Sequence, residues 1–154
     1  MKAIVAVIAV LAVAAAVTIA APAASVPDTP CRLATPVADV SGVAQLPAAL
    51  KKLIGPLADA GAPFDSSDDV EDALLPFRRL IRAGYHGDDW FVWYEHGGIT
   101  YFSQAVVAHV GADGTVSPLA NAGTIDDTLC VVTDGAFAGK VPPYPPGSWQ
   151  ANGF

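Results

Sequence analysis

The sequence predicts an α+β fold: a small antiparallel meander of about four strands within residues 78–121, packed with two or three short helices and closed by one disulfide. Three observations carry this. The stretch Trp90-Phe-Val-Trp-Tyr-Glu-His96 is dense in strand formers and runs into Gly97-Gly98, a two-residue hairpin signal. Apolar residues recur at helical spacing on either side of that stretch. The only two cysteines, Cys31 and Cys130, flank the whole region.

The strands follow in order. Arg79 to Tyr85 leads into the turn His86-Gly87-Asp88-Asp89, and Trp90 to His96 returns from it. Ile99 to Val110 is the third strand, and Ala112-Asp113-Gly114 turns it into a fourth at Thr115 to Leu119. A two-residue Gly97-Gly98 turn makes paired residue numbers sum to 195. Tyr94 would then oppose Tyr101, and Trp93 would oppose Phe102, so both faces carry aromatics. Either helix, arm and tail cover both faces, or one face meets a partner or ligand.

Three helices are expected. Pro47 opens Ala48 to Ile54, with Leu46, Leu50, Leu53 and Ile54 turned inward. Asp68 can cap a second helix ending at Pro76, with Glu71 as its box partner. Asp65, Ser67 and Asp69 also alternate as calcium ligands do, but Val70 stands where such a loop needs glycine and Pro76 where it needs glutamate. The third helix carries Ile125, Leu129, Val132, Ala136 and Phe137, capped by Thr124 with Asp127 and closed at Gly139; a Val131–Thr133 strand is its alternative.

The N-terminus reads as an export signal. Lys2 precedes an almost unbroken apolar run from Ala3 to Ala21, and Ala21 with Ala23 has the spacing of a cleavage site. At about 19 residues the run is also long enough for a retained anchor. Its alanine content and the lack of a basic cluster after it favour cleavage. The expected organisation is a signal at 1–23, an extended arm at 24–45, one domain at 46–140 and a proline-rich tail at 141–154. The tail either wraps the domain or stands free of it. A periplasmic or secreted location makes a Cys31–Cys130 disulfide the default, closing a loop of about 100 residues worth on the order of 4–5 kcal/mol.

Charge and motifs narrow the chemistry. The formal net charge is −7, and Arg78, Arg79 and Arg82 are too few to bind a polyanion, so neither nucleic acid nor a membrane is an expected partner. Phosphate-binding loops, zinc-protease motifs and the nucleophile elbow are missing, and no cofactor is expected. Two candidate sites remain. The aromatics Trp90, Trp93, Tyr94, Tyr101 and Phe102 could bind a protein, a peptide or an apolar small molecule, with core packing as the alternative for most of them. His86, Asp88, Asp89 and His109 gather at one end of the meander and could hold a metal or do acid–base chemistry. His96 lies at the other end, roughly 20 Å away. Glu95 is expected to pair with Arg79 or Arg82. The expected function is a non-enzymatic binding module of the envelope or exterior. The alternatives are a small hydrolase using the histidine end, or a purely structural envelope protein.

Overall fold

The computed structural model describes residues 31–68, 72–99, 101–124 and 129–140. The expected signal, the proline-rich tail, most of the Asp68–Glu71 cap and Ile125 lie outside them. The fold is α+β, with a five-stranded antiparallel sheet in the order β1-β2-β3-β4-β5. The strands are β1 (Ala38–Val40), β2 (Arg78–His86), β3 (Asp89–His96), β4 (Phe102–Val110) and β5 (Val116–Thr124). Two helices, α1 (Ala48–Ile54) and α2 (Leu129–Phe137), flank the sheet. The expected meander is therefore present with one strand more than the sequence pattern indicated.

That extra strand comes from the arm. Residues Ala38–Val40 pair with Tyr85, Gly84 and Ala83 of β2. Three residues are too few to show a period, so pairing with an existing strand defines them. Gly84 is required here, because a Cβ would lie 2.5 Å from the carbonyl oxygen of Ala38. The bidentate pair of Arg82 with Asp39, at 2.8 and 3.2 Å, holds the strand sideways. Below it, Ala58 bridges the lower half of the same β2 edge in parallel.

The period-2 alternation of β3 distributes its side chains to two cores. Phe91 and Trp93 face one core with Leu33, Ile81, Val107, Leu129 and Ala136. Val92 and Tyr94 face the other with Leu46, Leu50, Ile54, Leu80 and Val106. Helix α2 covers the first face and α1 the second, so both faces are packed. Helix α1 begins after Pro47 and ends at Gly55 (φ 86°), as its apolar spacing predicts.

The disulfide Cys31–Cys130 is formed, with Cα atoms 6.1 Å apart. It ties the arm to the first turn of α2. One turn later the Asp134 carboxylate accepts the backbone N–H groups of Ala34 and Thr35, at 2.9 and 3.0 Å. Partial burial alone would raise the Asp134 pKa, but these two donors hold it below the usual carboxylate value.

One local expectation fails in the described residues. The second helix does not form in the described part of its span. Residues 72–75 make a single turn, in which the Asp72 carbonyl and carboxylate accept the N–H groups of Leu75 and Leu74. Two turns ahead of a proline are too short to sustain a helix, and an aspartate side chain competes for its N–H groups. The expected cap of the third helix, Thr124 with Asp127, reaches into the stretch 125–128, which lies outside the described residues.

The β3–β4 connection also differs. His96 pairs with Phe102, and pairs along both strands sum to 198, not 195. Residues 97–101 form the loop. Tyr94 therefore opposes Gln104, and Trp93 opposes Ala105. A tight two-residue turn of the favoured kind needs positive φ at Gly97, alone or with Gly98. Only Gly98 has it, at 112°. Gly97 serves tertiary packing instead: its N–H donates to the Phe77 carbonyl at 2.8 Å. A Cβ there would sit 2.0 Å from the Asp65 carbonyl oxygen.

Candidate functional site

The hairpin end of the sheet is built by three segments stitched together. The Asp65 N–H donates to the Pro76 carbonyl at 3.0 Å, and the Phe77 carbonyl receives Gly97. This brings the 65–77 loop onto the 97–101 loop at the start of β2. Beneath them, Arg79 and Glu95 face each other across β2 and β3. The Arg79 Nε donates to Glu95 Oε2 at 2.5 Å, and the Arg79 guanidinium lies 4.3 Å from the centre of the Phe64 ring. The Tyr101 hydroxyl donates to the other carboxylate oxygen of Glu95. Burial and this bond to an anion push the Tyr101 pKa up to about 12, so the phenol stays a donor. The buried carboxylate thus anchors a loop residue whose ring remains half in water.

Four exposed apolar side chains lie on these joined loops. Ile99 is 93% exposed and Leu74 91%, with Tyr101 at 50% and Phe77 also open to solvent. Loop positions that need no apolar side chain for folding carry four of them. Asp68 and Asp72, on the same loop as Leu74 and Phe77, are exposed as well.

The five sequence-selected aromatics do not share a surface. Trp93 is fully buried, and its indole N–H donates to Thr133 of α2 at 2.8 Å. Tyr94 is buried on the α1 face, and burial pushes its pKa up to about 12. Phe102 is buried with its ring stacked on His96, centroids 5.0 Å apart. Trp90 is partly buried and packs on Tyr85 at 4.7 Å. Only Tyr101 belongs to the hairpin end and faces solvent. Core packing is the role of the other large rings on β3 and β4, apart from Trp90.

The histidine end assembles in part. Asp89 and His109 are register partners, and the His109 Nδ1–H donates to Asp89 Oδ1 at 2.8 Å. His86 also pairs with Asp89 in the register but turns its Nδ1–H to the Pro36 carbonyl, at 2.9 Å. Asp88 is an exposed turn residue whose carbonyl accepts Val110. Among the described residues, no group of three or more His, Cys, Asp or Glu side chains converges as metal ligands do. The four selected residues therefore reduce to one His–Asp pair. His96, at the far end as expected, donates to the Gly97 carbonyl, and burial lowers its pKa.

Sequence reasoning missed Phe77, Ile99 and Leu74: Phe77 falls between assigned elements, and the pattern makes Ile99 the start of a strand and Leu74 part of the second helix, so none stands out as an exposed apolar residue. It also missed Ser117, which stands opposite His109 on β5. No protein family, curated protein or solved structure matches the chain. Among the described residues, no helix is long and apolar enough to cross a membrane.

Proposed function

We propose that the protein is an exported, non-enzymatic binding module that contacts a polypeptide partner through its hairpin end. The observation that carries this is that Leu74, Phe77, Ile99 and Tyr101, all exposed, lie on the two loops that the Phe77–Gly97 hydrogen bond joins, with Tyr101 held by the buried Glu95. A small molecule needs a concave site that encloses most of its surface. Ile99 and Leu74, more than nine-tenths exposed, project outward instead and suit an occupant that brings its own apolar face. The exposed acids Asp68 and Asp72, on the loop that carries Leu74 and Phe77, favour a basic margin on that occupant. Export is supported by the signal-like N-terminus and the Cys31–Cys130 disulfide.

A photo-crosslinking residue at position 99 tests the reading in cells that export the protein. The expected result is an adduct with a discrete polypeptide from position 99 but not from position 117. Replacing Phe77 by Asp should abolish that adduct. Identical adducts from both positions, or none, would overturn the proposal.

A second reading rests on the His109–Asp89 pair. The Asp89 carboxylate holds the Nδ1–H, leaving Nε2 as the basic nitrogen, with the Ser117 strand on the other side of His109. This is the acid–base arrangement a small hydrolase would use. Ester hydrolysis lost in His109→Ala would support it; no turnover above background by the unaltered protein would remove it.

A further inference from the structure

At the hairpin end, His96 occupies the centre of a row across three strands. Its register partners are Arg78 on β2 and Phe102 on β4. The imidazole lies flat on the Phe102 ring, with centroids 5.0 Å apart and planes 9° apart. Its Nδ1–H donates to the carbonyl of the next residue, Gly97, at 2.6 Å. The same glycine joins the two loops. Its N–H donates to the Phe77 carbonyl, and its missing Cβ makes room for the Asp65 carbonyl oxygen. One side of Gly97 is thus held by the 65–77 loop and the other by the His96 ring.

The surroundings favour an uncharged ring. Arg78 is fixed in place across from it. The Arg78 guanidinium hydrogen-bonds the Tyr94 hydroxyl, and its Nη1 lies 3.5 Å from where a Cβ would stand on Gly55, the residue that ends α1. The last turn of α1 adds Lys51 and Lys52, and β4 presents the uncharged Phe102 ring. Glu95, the preceding residue, turns to the opposite face, where Arg79 and Tyr101 take both of its oxygens. Asp65 of the 65–77 loop accepts the Ser67 N–H on Oδ1, at 3.3 Å. Among the described residues, no carboxylate pairs with His96. Burial, and then the Arg78 charge, oppose an imidazolium here, while the Gly97 carbonyl favours it; burial is the largest of the three effects.

We propose that His96 is an acid-operated latch on the loop of the hairpin end. Proton uptake from water at Nε2 drives the ring out of the row, breaks its bond to the Gly97 carbonyl and frees residues 97–99. Tyr101 stays seated on Glu95, because that pair lies on the other face of the sheet. The loosened stretch carries Ile99, so acid removes the fixed geometry of the contact surface. This last step rests on the hairpin end being that surface; the latch itself does not.

A solution NMR titration of the full-length, disulfide-closed chain from about pH 8 to about pH 5 tests this. The His96 ring carbons should titrate below the unfolded value of about 6.5, and the Gly98 and Ile99 amides should move toward random-coil positions with the same midpoint. The Tyr101 ring signals should stay in place. His96→Gln keeps a side-chain N–H for the Gly97 carbonyl and cannot take up a proton, so its loop signals should hold still over that range. Loop amides that ignore the His96 titration, or that move equally in His96→Gln, would overturn the inference. So would Tyr101 signals that move with them, because the whole end would then be melting. The titration needs no partner, so its failure is distinct from a failure of the crosslink at position 99.

Discussion

The two ends of the sheet are built on charged pairs of opposite character. At the hairpin end, Arg79 and Glu95 have side chains only 24% and 11% exposed, and Tyr101 completes the carboxylate. At the turn end, His109 and Asp89 are 47% and 30% exposed. A pair taken out of water becomes costly once one partner is removed, because the other charge remains buried. A pair in water is replaced by solvent at little cost. The hairpin end should therefore be the rigid end, holding its loop in one geometry. The turn end should tolerate change.

Substitutions can break this contrast. Glu95→Ala strands Arg79 and frees Tyr101, and should cost about 3 kcal/mol in denaturant unfolding. A loss under about 1 kcal/mol would show that the pair behaves as a surface one. Removal of the disulfide in the Cys31→Ser, Cys130→Ser double variant should cost about 2–5 kcal/mol, and it touches neither end. It provides the scale against which the first effect is read.

Tyr101→Phe removes one donor from a buried carboxylate and should cost about 1–3 kcal/mol. The hairpin end should also respond to acid. Burial lowers the folded-state pKa of His96, so the unfolded chain takes up its proton first as pH falls. The His96 contribution is thus full above its unfolded value of about 6.5 and is lost as pH drops through the folded value. His96→Phe should flatten that part of the stability–pH curve; an unchanged slope would exclude His96 as its source. Asp89→Asn, at the turn end, should change stability by less than about 1 kcal/mol. A larger loss would sharpen the case for a built acid–base site there.

Much of the architecture was legible because it is local. Pro47 and the spacing of Leu46, Leu50 and Ile54 mark α1. Gly87, at φ 60°, and Asp88 mark the β2–β3 turn where it occurs. The disulfide follows from the cysteine count. Strand β1 was not legible, since its three residues gain their conformation from β2. The candidate site was legible only through Tyr101 and the Arg79–Glu95 pair. The aromatic list failed as a site because alternation reveals that two faces are apolar, but not which face a helix will cover.

By itself, then, the sequence determined the class of fold, the main strands and helices, and the covalent staple. Periodicity, turn residues and cysteine number act over a few residues or through a single bond. Only the tertiary structure decided the register of β3 against β4 and, with it, which side chains share a row. The reason is physical. A Gly97-Gly98 pair can make a tight turn or let another segment approach closely. Here the Asp65 carbonyl occupies the space a Cβ would need, so the turn widened to residues 97–101. That one contact, between residues 32 positions apart in sequence, placed Tyr101 on Glu95 and left Ile99 in solvent.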